Sequence, residues 1–109
     1  MQTTERRQHP RVAAGFKARF GPEAAAVVQD ISRSGVRCHL DTPVSAMTVV
    51  ELRLEIPVGT SYREVPCRGV VVRSGILSDE SPRYEAAIFF QELAPEAREA
   101  IDAFVASRG

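Results

Sequence analysis

Between Thr48 and Ile56 the chain alternates with a period of two: Val50, Leu52, Leu54 and Ile56 are separated by Glu51, Arg53 and Glu55. Successive side chains of a strand point to opposite faces, so the pattern fits a strand with one face in a core and one in water. A helix would scatter the same apolar residues round its circumference. Other segments repeat the theme. Phe16, Ala18 and Phe20 share a face opposite Lys17 and Arg19, Ala25 to Gln29 read as a second strand, and Val36, Cys38 and Leu40 alternate with Arg37 and His39 in a third. After a Pro57-Val58-Gly59 turn, Glu64 to Arg73 and Arg83 to Phe90 read as the last two of six strands. On this reading Phe16, Phe20, Phe89 and Phe104 are packing residues on core faces.

The period changes at the end of the chain. Pro95 suits a first helical position and Glu96 a first turn, where the helix dipole favours an anion. Leu93, Ala97, Ala100, Ile101, Phe104 and Val105 then fall on one stripe at helical spacing, which predicts a helix over about residues 95–107. Six short strands followed by one helix predict an all-β architecture, a small antiparallel barrel with a helix packed against it, over residues 12–109. Residues 1–11 are polar and lack periodicity, and read as a flexible N-terminal arm.

A chain of 109 residues has room for one domain and a core, but not for a separate catalytic module. The arm has no apolar stretch of the kind a secretory signal needs, and the longest apolar runs, Ala24–Val28 and Ala86–Phe90, are too short to cross a bilayer. The expectation is a cytoplasmic protein without membrane insertion, in which Cys38 and Cys67 are buried thiols rather than a disulfide. Neither Cys nor His9 and His39 have zinc spacing, so no metal and no cofactor are expected. Nucleophile-elbow and metalloprotease motifs are absent, and an enzyme is the least favoured reading. The net charge of zero hides an asymmetry: residues 1–40 carry seven Lys/Arg against three Asp/Glu, and residues 41–109 seven against eleven. That favours a small anionic ligand near the N-terminus over a nucleic-acid polymer, which calls for a larger basic excess.

Two short motifs carry the chemistry. Arg7 and Arg11 stand four residues apart, with Arg6 beside them, roughly 13 Å apart if extended at ~3.3 Å per residue. Each guanidinium fork matches a phosphate or the O6/N7 edge of guanine. Asp30-Ile-Ser32-Arg-Ser-Gly35 adds a carboxylate that can accept from guanine N1 and N2, a hydroxyl for the turn or a ligand, and a glycine that tolerates positive φ and leaves room for a ring. Singly, each motif is ordinarily a solvated charge cluster or a plain turn. Their order and spacing around a first strand give them weight together.

In these residues the chain resembles the PilZ domain family, the bacterial receptors for cyclic di-GMP. Arg6-Arg7-Gln-His-Pro-Arg11-Val is similar to the family's RxxxR opening, and Asp30 to Gly35 to its (D/N)xSxxG motif. Arg68-Gly69-Val-Val-Val-Arg73 and Tyr84–Phe90 resemble its middle and last strands, and Ala87 departs from a common glycine. The resemblance implies a six-stranded split barrel with a C-terminal helix. It implies ligand-binding roles for Arg6, Arg7, Arg11, Asp30, Ser32 and Gly35, with Arg6 of the type that binds two stacked ligands. It further implies a receptor whose arm orders on binding cyclic di-GMP and signals to a partner protein. The rival readings are a PilZ-fold interaction adaptor that binds no nucleotide and a small-barrel single-stranded nucleic-acid binder.

Overall fold

The computed structural model describes residues 10–22 and 24–108. Seven strands and one helix follow in order: β1 (Val12–Ala13), β2 (Lys17–Phe20), β3 (Ala24–Ile31), β4 (Gly35–Leu40), β5 (Val49–Val58), β6 (Ser61–Ile76), β7 (Tyr84–Glu92) and α1 (Pro95–Arg108). All pairings are antiparallel, in the order β1-β3-β2-β5-β6-β7-β4, and β4 pairs back onto β3. β2 to β7 thus close the expected six-stranded barrel. The added β1 continues the β2 track along β3 beyond a break at Gly15, whose φ of +84° places it in the left-handed region.

The alternating residues behave as their period predicts. Phe16, Ala18, Phe20, Leu52, Leu54 and Ile56 are buried, as are Cys38 and Leu40. α1 covers the barrel through Ala97, Ala100, Ile101 and Phe104, packing against β5 and β6. Phe16 and Phe104 meet edge to face, with ring centroids 5.2 Å apart. Cys38 and Cys67 are free and buried, and burial pushes both thiols up to about 12, so neither offers a reactive thiolate.

Four expectations need correction or fall elsewhere. Phe89 is not a core residue: Ala86, Ile88 and Phe90 point inward, so Phe89 points outward and is 53% exposed. Pro57 and Val58 belong to β5, and the turn falls on Gly59 and Thr60, with Gly59 at φ +61°. β6 is longer than Glu64–Arg73 and carries register shifts at Arg68/Gly69 and Val71/Arg73. Arg6, Arg7, His9 and most of the expected arm lie outside the described residues.

β7 is held unusually closely by its neighbours. A Cβ on Gly35 of β4 would collide with the Ile88 carbonyl oxygen. A Cβ on Gly69 of β6 would lie 2.5 Å from Ile88 Cγ2 and 2.8 Å from the Phe89 carbonyl oxygen. Gly35 is therefore required by backbone approach rather than by positive φ, contrary to the sequence expectation. The backbone that comes close to it is that of β7. We expect Gly35→Ala and Gly69→Ala each to cost about 1–3 kcal/mol in urea denaturation, as overpacking does. Gly75→Ala in the same sheet, where nothing lies within 4 Å of the new methyl, should stay within about 0.5 kcal/mol of the parent.

Candidate ligand-binding site

Strict alternation would bury Asp30, since Ala26 and Val28 of β3 both face the core. A bulge prevents this. Val28 pairs with Cys38, yet Asp30 pairs with Arg37, so Gln29 is the extra residue and the next side chain is re-aimed outward. Asp30 therefore belongs to the strand rather than to the turn. The turn itself is Ser32–Ser34, closed by the Ser32 amide donating to the Gly35 carbonyl at 2.9 Å. Ser32 is fully buried, and its Oγ accepts from the Ser34 amide at 3.1 Å. It bonds locally, as a serine at this position commonly does.

Both oxygens of the Asp30 carboxylate are engaged. Arg11 Nε donates to Oδ1 at 2.7 Å and Arg37 Nε to Oδ2 at 2.8 Å. Arg11 Nη1 also reaches Ser32 Oγ, at 3.5 Å. Arg37 continues the chain through Nη1 to Glu85 Oε2 at 2.7 Å, and His39 Nε2 meets the same oxygen at 2.9 Å. The arrangement follows from register: Arg37 and His39 are the outward residues of β4, and His39 stands opposite Glu85 on β7. The hydrogen bond from His39, then that from Arg37, holds the Glu85 carboxyl below its ordinary value. Glu85, followed by Asp30, raises Arg37 further above a value at which it is already charged.

Beside this cluster lies an open cavity of about 770 Å³. Among the described residues, Arg11, Arg37 and Arg73 line it with three basic side chains against the one carboxylate of Asp30, together with Ala13 and Ala87. Volume and charge suit a multiply charged anion larger than a single phosphate. Of the residues the sequence singled out, Arg11, Asp30 and Ser32 come together here. Gly35 shapes the turn behind them, and Arg6 and Arg7 lie outside the described residues. Arg37, Arg73, Glu85 and His39 were not foreseen as site residues. Alternation showed that Arg37 and His39 face outward, but only the β4–β7 and β6–β7 registers, with the shift between Val71 and Arg73, bring the four to one place. Among the described residues, no three His, Cys, Asp or Glu side chains gather as metal ligands would.

A family model for the PilZ domain matches residues 5–107. A comparison with curated proteins gives no match. Among solved structures, the chain is similar to the Bacillus subtilis inhibitor of motility MotI/DgrA, at a TM-score of 0.85 and 21% identity over 99% of this chain and 53% of that one. It is also similar to the PilZ domain of Escherichia coli YcgR with c-di-GMP, at 0.73 and 10% over 95% and 92%. The K. pneumonia MrkH–c-di-GMP complex is similar at 0.71 and 18% over 96% and 53%. The chain thus spans about half the length of MotI and of MrkH. At these identities the likeness is one of fold.

The Glu85 shift gives the site a pH signature. Because its folded-state value is depressed, its contribution to stability is full above the ordinary 4.5 and is lost as pH falls through the lower folded value. We expect Glu85→Gln to be less stable than the parent near neutral pH, with the difference closing below about pH 4. Urea denaturation across that range checks this, and a difference independent of pH would contradict it.

Proposed function

The chain belongs to the PilZ domain family, and from that premise we propose that it is a non-enzymatic, cytoplasmic receptor for cyclic di-GMP that signals to a partner protein. The observation that carries this reading is the outward Asp30 carboxylate, set between Arg11 and Arg37 at the edge of a cavity with a third basic side chain. Cyclic di-GMP supplies a counterpart for each group. Its phosphates and the O6/N7 edges of its guanines suit the Arg forks, and guanine N1 and N2 present two donors to the two Asp30 oxygens. Binding on this account is an exchange: Asp30 gives up Arg11 or Arg37 for a guanine edge, and the released guanidinium turns to phosphate or base. The presence of c-di-GMP with the similar YcgR domain and with MrkH supports the same ligand here.

Arg7 and Arg6 would complete the site from the arm, which closes over the ligand in an order–disorder step that the partner reads. A stacked pair of ligands brings four phosphate charges together, and Arg6 beside Arg7 would offset their repulsion. Adenine lacks the N1 and N2 donors, so cyclic di-AMP would leave Asp30 without a match.

Calorimetry tests the reading. We expect cyclic di-GMP to bind in preference to cyclic di-AMP, and Arg7→Ala and Arg11→Ala each to weaken binding at least about tenfold. Asp30→Ala should weaken binding and also lower the melting temperature, since two guanidiniums lose their partner. Two ligands per chain, falling towards one in Arg6→Ala, would support the paired mode. Equal affinity for the two dinucleotides would refute the receptor assignment, and no binding of either would favour the adaptor reading.

A further inference from the structure

The charge cluster leaves one feature of the adjoining wall unexplained. Phe89 points outward from β7 with half its surface exposed, where any polar side chain would serve the strand equally well. Its neighbour across β6 is Val70, and Val70 in turn faces Val49 of β5. Val49 is 52% exposed, so three apolar side chains form a single row across three strands of the outer wall. On the other side Phe89 stands opposite Gly35, which has no side chain to cover the ring. The row is continuous with the cavity through Val72, a residue displaced by the β6 register shift, 50% exposed, and part of the cavity lining.

The cavity and the row offer complementary chemistry. The guanidiniums and Asp30 offer hydrogen-bonding edges and charge, but among the described residues the cavity lining contains no aromatic face. Ala87, opposite Arg37, lies two residues before Phe89 on the same face of β7, about 7 Å away along the strand. A base over Arg37 and Ala87 is therefore within aromatic stacking reach of Phe89, at centroid separations of about 4.5–7 Å. A stable protein interface needs about 800 Å² per partner. A row one residue wide, bordered by the Glu51–Arg68 ion pair, is too narrow for that but wide enough for one purine.

Resting on the receptor reading above, we infer that Phe89, flanked by Val70 and Val72, is the stacking wall for one guanine of a cyclic dinucleotide held in the cavity. The role is distinct from that of the motif residues. Stacking on an aromatic ring tolerates any base, whereas Asp30 distinguishes guanine from adenine.

The distinction supplies the test: titration of parent, Phe89→Ala, Phe89→Leu and Phe89→Trp with cyclic di-GMP and, at higher concentration, cyclic di-AMP. Phe89→Ala should weaken both ligands by the same factor, about tenfold, leaving their ratio and the ligand-free melting temperature unchanged. Phe89→Trp should bind at least as well as the parent, and Phe89→Leu should recover little. Parental affinity in Phe89→Ala, or full recovery in Phe89→Leu, overturns the stacking role while leaving the receptor reading intact. A parent chain that binds neither dinucleotide overturns the receptor reading and the stacking role with it. A dimer in sedimentation that Phe89→Ala abolishes, with ligand affinity unchanged, assigns the row to a second copy and also overturns it.

Discussion

The Asp30 carboxylate ties together the wall of the barrel beside the open cavity. One oxygen holds Arg11, just before β1, and the other holds Arg37 on β4, so one side chain on β3 links three neighbouring parts of the wall. It can do so only because the bulge at Gln29 turns it out of a strand whose alternation would have buried it. Inside the barrel an unpaired carboxylate would be severely penalised. On the surface, partly exposed ion pairs contribute about 0–1 kcal/mol each. Pairs of that strength order the site without locking it, and a ligand with matching donors and charges can replace them at little cost.

Packing behind the site is as constrained as the charges in front. Gly35 ends the motif turn, and its lack of a Cβ lets β4 lie against the Ile88 carbonyl, while Gly69 allows the same approach from β6. Held from both sides, β7 carries Glu85, Ala87 and Phe89 outward in register with His39, Arg37 and Gly35. The same closure that builds the core therefore sets the spacing between the carboxylate, the cavity lining and the exposed ring.

Much of this was legible in the sequence, and the rest was lost for identifiable reasons. The β5 alternation and the helix stripe from Ala97 to Phe104 declare themselves because burial of one face imposes the period directly. Arg11, Asp30 and Ser32 were found through local motifs, and their side chains lie together. Arg37 was seen as outward-facing, but its link to Asp30 and Glu85 depends on strand registers that span as many as 48 residues. Phe89 was misassigned beside Phe90, although the inward series Ala86, Ile88 and Phe90 was present to settle the parity. Gly35 was singled out partly for its tolerance of positive φ, which it does not use: a glycine required by a neighbouring backbone looks, in sequence, like one required by φ.

The central claim is that Asp30 exchanges a guanidinium for guanine. Nitrogen-15 spectra of the arginine Nε–Hε groups, recorded without and with saturating cyclic di-GMP, test it most directly. The account predicts that the Arg11 and Arg37 resonances, and the Asp30 carboxyl carbon, shift together on binding, while Arg53 on β5 remains in place. Unchanged Arg11, Arg37 and Asp30 signals in a chain that demonstrably binds the dinucleotide would contradict the claim.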